Sequence, residues 1–290
     1  MEINTVLPEE HIFTKRLVNI AKPPKRLCFM GKLPDTHAPR VAIVGTRKPS
    51  SYGREVTERL ATDLAQAGVI IISGLALGVD SIAQTAALNA GGTVIGVVTS
   101  ELPDIAPRSN RGLAENIINQ GGAVLSEWMR GDGMKIRKWS FLQRNRLVSG
   151  LADAIIITEA AERSGTLNTA AYALEQGRDV FVVPGNITSP LSAGCNNLLL
   201  QGANPALSAK DVLNAIAPTW KSTQPTQCAL PIGSTPAEIA IAQLIKHGVR
   251  NGDKLQKQSG LSAADFATAL TMLEINGVIK PLGANNWTLR

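Results

Sequence analysis

Between about residues 40 and 185 the hydrophobic positions fall into two patterns that alternate. Short runs are apolar almost without a break: VAIVG at 41–45, VIIIS at 69–73, TVIGVV at 93–98, AVLSE at 123–127, DAIIITE at 153–159 and DVFVVP at 179–184. Between them lie segments with apolar residues at helical spacing that end in glycine, such as SSYGREVTERLATDLAQAG, GVDSIAQTAALNAGG, SNRGLAENIINQGG and TLNTAAYALEQG. Strands that are apolar on both faces must be covered on both faces, and amphipathic helices between parallel strands provide that cover. The pattern predicts an α/β fold with a Rossmann-like, doubly wound, mainly parallel sheet. The stretch PPKRLCFMGKLP before it predicts an additional edge strand at Leu27–Met30.

After Ala217 the pattern stops. The stretch APTWKSTQPTQCALPIGST is rich in Pro, Ser, Thr and Gln with no hydrophobic period, as in a linker. Beyond it, TPAEIAIAQLIKHG begins with Thr at a cap and Pro at the first helical position. Two further helical segments follow, GDKLQKQSG and LSAADFATALTMLEINGVIK, then two short strands, IKPL and NWTLR. Three helices and a terminal hairpin predict a small winged-helix domain. The expected division is an N-terminal extension at 1–19, a Rossmann-like domain at 20–217, a linker at 218–234 and a winged-helix-like domain at 235–290. The helix from Ser262 carries Asp265 and Glu274 and no arginine, so a packing module without DNA contact is as good an expectation as a duplex reader.

Composition narrows the function classes. The chain has 290 residues, 44% hydrophobic and 18% charged, as expected of a core-forming protein. Its longest apolar stretch, near Gly68–Val79, is broken by Ser73, Gly74 and Gly78 and falls short of the roughly 20 residues that cross a bilayer. The segment MEINTVLPEEHIFTKRL lacks the basic and apolar regions of a secretory signal, which points to the cytoplasm. Cys28, Cys195 and Cys228 are widely spaced and no histidine lies near them, so neither a zinc site nor a disulfide framework is expected, and no cofactor is called for. The net charge of +6 is concentrated in MKIRKWSFLQRNRL at 134–147, which holds Lys135, Arg137, Lys138, Arg144 and Arg146 and no acid. Such a run is either a solvated helix face or an anion-binding surface.

The strand-to-helix junctions favour the anion. Gly45-Thr46-Arg47-Lys48-Pro49-Ser50 places a glycine turn, hydroxyls and a cation at a strand's carboxyl end, where open sheets bind ligands. The segment Ser73 to Asp80 spaces Gly74 and Gly78 for close backbone approach, and Ser164-Gly165-Thr166 offers a second anion nest at a helix start. Neither GxGxxG nor GxxxxGK[ST] is present, which excludes a classical NAD site and a P-loop ATPase. The long loop NITSPLSAGCNNLLLQGAN reads as a structural excursion. Trp139 and Phe141 are interleaved with the cations, as in surfaces where bases stack and phosphates pair with lysine and arginine. Lys138 and Phe141, three apart, share a helix face, so Phe141 is the expected stacker and Trp139 the expected packing residue.

The segments GTRKPSSYG, SGLALGVDSIAQTAAL, FLQRNRLVSGLADAIIITEAAERSGTLNTAAYALEQGRDVFVVPGN and SPLSAGCNNLL, in this order, resemble the DNA-processing protein A (DprA or Smf) family. The resemblance covers about residues 20–217, and the winged helix resembles that family's carboxyl-terminal domain. It implies a non-enzymatic single-stranded DNA-binding protein that protects incoming DNA in natural transformation and helps load RecA recombinase, acting as a homodimer. The family's binding residues match Gly45, Thr46, Arg47, Lys138 and Phe141, followed by Arg144, Asn145 and Arg146. Two features depart from the family: Ala106-Pro107 stands where Tyr-Pro is usual, although Asn110 is kept, and a long N-terminal helical domain is missing. A different function class is a nucleoside monophosphate phosphoribohydrolase-like enzyme, whose loop resembles PGGxGT followed by an acid. Here Arg163-Ser164-Gly165-Thr166 is followed by Leu167 and Asn168, which lack that acid. A nucleotide-binding sensor would use the same nests.

Overall fold

The structure, a computed structural model, describes residues 2–220, 233, 235–283 and 285–289. Contacts divide the chain into two compact units, Met1–Gln224 and Pro225–Arg290. Most of the stretch expected as a linker lies outside the described residues. Its described end belongs to the first unit, where Trp220 donates its indole N–H to the Ala67 carbonyl at 2.9 Å.

In the first unit the strands are β1 (Asn4–Val6), β2 (Leu27–Gly31), β3 (Arg40–Val44), β4 (Ile70–Ser73), β5 (Val94–Val97), β6 (Ala123–Ser126), β7 (Ala154–Ile157), β8 (Asp179–Val182) and β9 (Asn204–Pro205). They form one sheet in the order β1-β2-β6-β5-β4-β3-β7-β8-β9. All neighbours are parallel except β1 with β2 and β2 with β6. The helices are α1 (Ser51–Gln66), α2 (Val79–Asn89), α3 (Arg111–Asn119), α4 (Lys138–Leu151), α5 (Thr166–Glu175), α6 (Ala193–Leu200) and α7 (Ala209–Ile216).

Alternate residues of β3 point to opposite faces, as strand geometry requires. Val41 and Ile43 pack with Leu60 and Leu64 of α1, Ala83 and Ala87 of α2, and Val212 of α7. Ala42 and Val44 pack with Leu147 and Leu151 of α4, Ala170 and Ala173 of α5, and Leu198 of α6. The sheet is therefore covered on both faces, which is why its strands are apolar throughout. Strands β4 to β6 extend to one side of β3 and β7 to β9 to the other. The chain reverses its strand order at β3 and β7, the place where open α/β sheets hold ligands.

Three features were not legible in the sequence. The first 20 residues are integral to the unit: Phe13 and Leu17 are fully buried in the core, Arg16 pairs with Asp153, and the Arg40 guanidinium lies 4.5 Å from the Phe13 ring centroid. The stretch read as a loop excursion after β8 contains α6, whose Cys195 and Leu198 are buried. Strand β9 has only two residues and is held by parallel pairing to β8, too short for any periodic signal.

The second unit contains α8 (Pro236–Lys246), α9 (Gly252–Ser259), α10 (Ala263–Ile275), β10 (Ile279–Gly283) and β11 (Asn286–Leu289), with the two strands antiparallel. Its core is Ile241, Ala242, Ile245, Leu255, Phe266, Ala269, Leu273 and Ile279. Thr235 caps α8 by accepting from the Glu238 N–H, and Ser262 caps α10 by accepting from the Asp265 N–H. Helix α10 has no Arg, Lys, Asn or Gln, and Met272 and Ile275 are exposed on it.

Candidate nucleic-acid interface

A cavity of about 430 Å³ opens at the carboxyl ends of β3, β4 and β7. Its walls bring together Gly45, Thr46 and Arg47, Phe141, Leu142, Arg144 and Asn145, and Ser164, Gly165 and Thr166. These come from three separate stretches of sequence, all of which contain expected site residues.

The β3–α1 turn is fixed from both sides. The Thr46 N–H donates to the Glu159 carbonyl at 2.8 Å, and the Val79 N–H donates to the Thr46 carbonyl at 3.1 Å. Gly78, at φ +81°, supports this turn from below: a Cβ there would lie 2.4 Å from the Thr46 carbonyl oxygen. On the far wall the Thr166 hydroxyl donates to the Gly45 carbonyl at 3.0 Å, tying the start of α5 to the turn. Arg47 is exposed, and its guanidinium sits 5.3 Å from the centroid of the half-buried Phe141 ring. A cation and an aromatic face thus share the rim, with the amino end of α5 opposite. Arg163, exposed, adds a further cation. This combination suits a phosphate with an attached flat group.

Not every expected residue is free to touch a ligand. Ser50 caps α1, accepting from the Gly53 N–H at 3.1 Å. Its own N–H and hydroxyl donate to the Glu159 carboxylate at 2.8 and 2.5 Å. The amino end of α1 is therefore already occupied by the buried Glu159 carboxyl group. Ser50 and Glu159 line a separate hollow of about 420 Å³ with Tyr52, Pro184 and Asn186.

The basic run divides in the same way. Arg146 is 4% exposed and forms a bidentate pair with Glu127 at 2.8 and 2.5 Å, while also donating to the Lys22 and Gln143 carbonyls. It lies outside the cavity wall, a correction to its expected place among the binding cations. Arg144 does line the cavity but is buried; its Nη1 donates to the Val97 carbonyl at 2.5 Å and its Nε has no partner. Gly74 lies directly under it, and a Cβ there would be 1.9 Å from Nη1. The role of Gly74 is to admit the arginine. Of the two aromatics, Trp139 is 55% exposed, so the expectation that it packs is overturned. Lys138 opens α4, but its side chain lies outside the described residues.

Two groups that sequence reasoning did not assign support the floor. Asp80 is buried in the cavity wall and accepts from the Gly74 N–H at 3.0 Å. Burial pushes its carboxyl pKa up, while Arg144 and the Gly74 N–H pull it back. Burial also pulls Arg144 down to about 10, against the raising effect of Asp80 and with a further lowering from Arg47. Asn110 donates from Nδ2 to the Leu75 and Ala76 carbonyls at 2.9 and 3.2 Å. It pins a loop in which Leu75 has φ +52°, a conformation that costs energy for a residue with a side chain. Asn110 had a sequence signal, its persistence beside the altered Ala106-Pro107. Glu159 had one too, as the acid ending the apolar β7 run.

Comparison with known proteins places the chain among its relatives. The family model of DNA recombination-mediator protein A matches residues 4–217, and that of the DprA winged helix domain matches 224–285. The chain is 37% identical to DNA processing protein DprA of Bacillus subtilis over 74% of this chain and 71% of that one. It is 34% identical to protein Smf of Escherichia coli over 93% of this chain and 73% of that one. Among solved structures, DprA of Streptococcus pneumoniae superposes with a TM-score of 0.68 at 35% identity, covering 74% of this chain and 75% of that one. DNA processing protein A of Helicobacter pylori, described for its single-stranded DNA binding mode, gives 0.65 at 35% identity over 76% of this chain and 98% of that one. With family models matching both of its units, this chain belongs to the DNA recombination-mediator protein A, or DprA/Smf, family.

Proposed function

We propose that this protein binds single-stranded DNA through the cavity at the ends of β3, β4 and β7, and protects the strand while RecA recombinase is loaded, as in natural transformation. The observation that carries this is the Arg47–Phe141 pair facing the amino end of α5 across the cavity. It supplies a cation, hydrogen-bond donors and a stacking face within one nucleotide's reach, the combination by which single strands are held without sequence reading. Gly45, Thr46, Arg47, Phe141, Asn145, Ser164, Gly165 and Thr166 form the contact set, with Lys138 at the start of α4. Gly74 and Arg144 form the floor, and Ser50 and Arg146 hold the scaffold. The single-stranded DNA binding described for the H. pylori relative supports this reading.

The protein acts without turnover. The acid in the cavity, Asp80, is buried and engaged with Gly74 rather than poised over open space, and the α5 nest is followed by Leu167 and Asn168. This weighs against a phosphoribohydrolase, and the relatives do not favour a nucleotide sensor. The setting is cytoplasmic; among the described residues no helix is long and apolar enough to cross a membrane. A homodimer is favoured by α5 and α6, which expose Leu174 and Leu200 beside a hollow of about 370 Å³ lined by Leu167, Ala171 and Leu198.

The test compares a single-stranded oligonucleotide, the same sequence as duplex, and a mononucleotide at several salt concentrations. The single strand binds best, with a log affinity against log salt slope of about −0.7 per neutralised phosphate. Tighter binding to duplex or to mononucleotide, or insensitivity to salt, rejects the proposal.

A further inference from the structure

Trp139 stands apart from the other tryptophans. Trp128, Trp220 and Trp287 are each only partly accessible, whereas Trp139 presents 55% of its surface to solvent on the first turn of α4. Three residues on, Leu142 is 40% exposed and lines the cavity, 3.6 Å from where a Cβ on Gly165 would stand. Residues three apart share a helix face, so Trp139 and Leu142 make one apolar step leading from the cavity wall outward. Ile136, 43% exposed, precedes them. Phe141 is two residues from Trp139, about 200° around the helix, so the two rings face different ways and serve different bases.

We infer that Trp139 is a second base-stacking platform, holding another base of the same strand whose phosphate occupies the cavity, with Leu142 as the step between them. The inference rests on the single-stranded DNA reading above and extends it to a residue outside the Lys138 and Phe141 pair. Two observations select nucleic acid as the occupant. The apolar step is continuous with the cavity, and Lys135 and Arg137 beside it are exposed cations in a run that itself holds no acid. The core of a protein interface is depleted of charge, whereas a single strand presents an anion beside every aromatic face.

The test uses the full chain with thymidine oligonucleotides of increasing length and with thymidine 5′-monophosphate. Binding is followed by anisotropy and by indole emission in the unaltered chain, Trp139→Phe and Trp139→Ala. Oligonucleotide should quench the indole emission of the unaltered chain, and Trp139→Phe should bind nearly as well while losing most of that quench. The Trp139→Ala chain should bind oligonucleotide about 5- to 150-fold more weakly with an unchanged salt slope and melting temperature. Its affinity for the monophosphate, which cannot reach past the cavity, should be unaltered. Oligonucleotide that binds Trp139→Ala as tightly as the unaltered chain, or saturates without any change in emission, overturns the inference and leaves the single-strand reading standing. A weaker affinity accompanied by a flatter salt slope also overturns it, since charge and not stacking would then be responsible. If no chain binds any oligonucleotide, both fall.

Discussion

Arg47 and Phe141 meet across two different strand–helix junctions, with the guanidinium 5.3 Å from the ring centroid. The guanidinium lies over one face of the ring, and both side chains line the cavity. Each residue contributes to binding by different physics, and the two contributions separate experimentally.

Arg47→Ala should weaken single-strand binding and reduce the salt slope by about 0.7, one counterion fewer being released. Phe141→Ala should weaken binding by about 1–3 kcal/mol with the slope nearly kept. Anisotropy titrations at four salt concentrations distinguish them, and equal slopes for the two variants would contradict the assignment.

Arg146, although part of the basic run, should act on stability and not on binding. Arg146→Ala leaves the part-buried Glu127 carboxylate without its partner, a change that costs up to about 3 kcal/mol of stability. The folded fraction should keep the unaltered salt slope. Urea unfolding alongside titration decides this; an intact midpoint with lost binding would return Arg146 to the interface.

Ser50→Ala removes a helix cap and a hydroxyl donor to Glu159, and should lower stability by about 1 kcal/mol with little effect on DNA affinity. A large loss of affinity at unchanged melting temperature would mean that Ser50 touches the strand directly.

Asp80 and Arg144 share the cavity floor. Asp80→Ala leaves the buried Gly74 N–H without its acceptor and should cost about 1–3 kcal/mol at neutral pH. With the acid present, the sign of its pH dependence follows from its raised pKa. The folded state binds the proton more tightly than the unfolded one, so the Asp80 contribution to stability is greatest below the usual carboxylate pKa and is lost as pH rises through the folded value. Unfolding of the Asp80→Asn chain, which cannot titrate there, should lack this component between the two values; identical pH profiles would refute it.

A chain ending after Trp220 should melt cooperatively and retain single-strand binding, since Trp220 is anchored to Ala67 of the first unit and the cavity lies wholly within that unit. Loss of the cooperative transition would show that the first unit depends on the second.

The strands and most helices were legible because burial on both faces leaves only one apolar pattern for a central strand; Leu27–Met30 was readable as a strand, but not as an interior one, since the short β1 pairs outside it and takes the edge. The junction residues were legible too, since a parallel sheet puts every strand's carboxyl end on one side. What the linear chain could not carry was direction. Arg144, Arg146 and Trp139 belong to one helix and one basic run, yet they point to the cavity floor, to Glu127 and to solvent. At 100° per residue their directions depend on which face of α4 the sheet takes. Leu147, Val148 and Leu151 settle that face only by packing into the core. Likewise Glu159 and Ser50 are distant in sequence, and only the pairing of β3 with β7 delivers the carboxylate to the start of α1. The sequence by itself determined the sheet and the chemistry present at its edge. The tertiary structure decided which of those charges are neutralised inside the protein and which remain free for a ligand, because burial and pairing depend on neighbours from other segments.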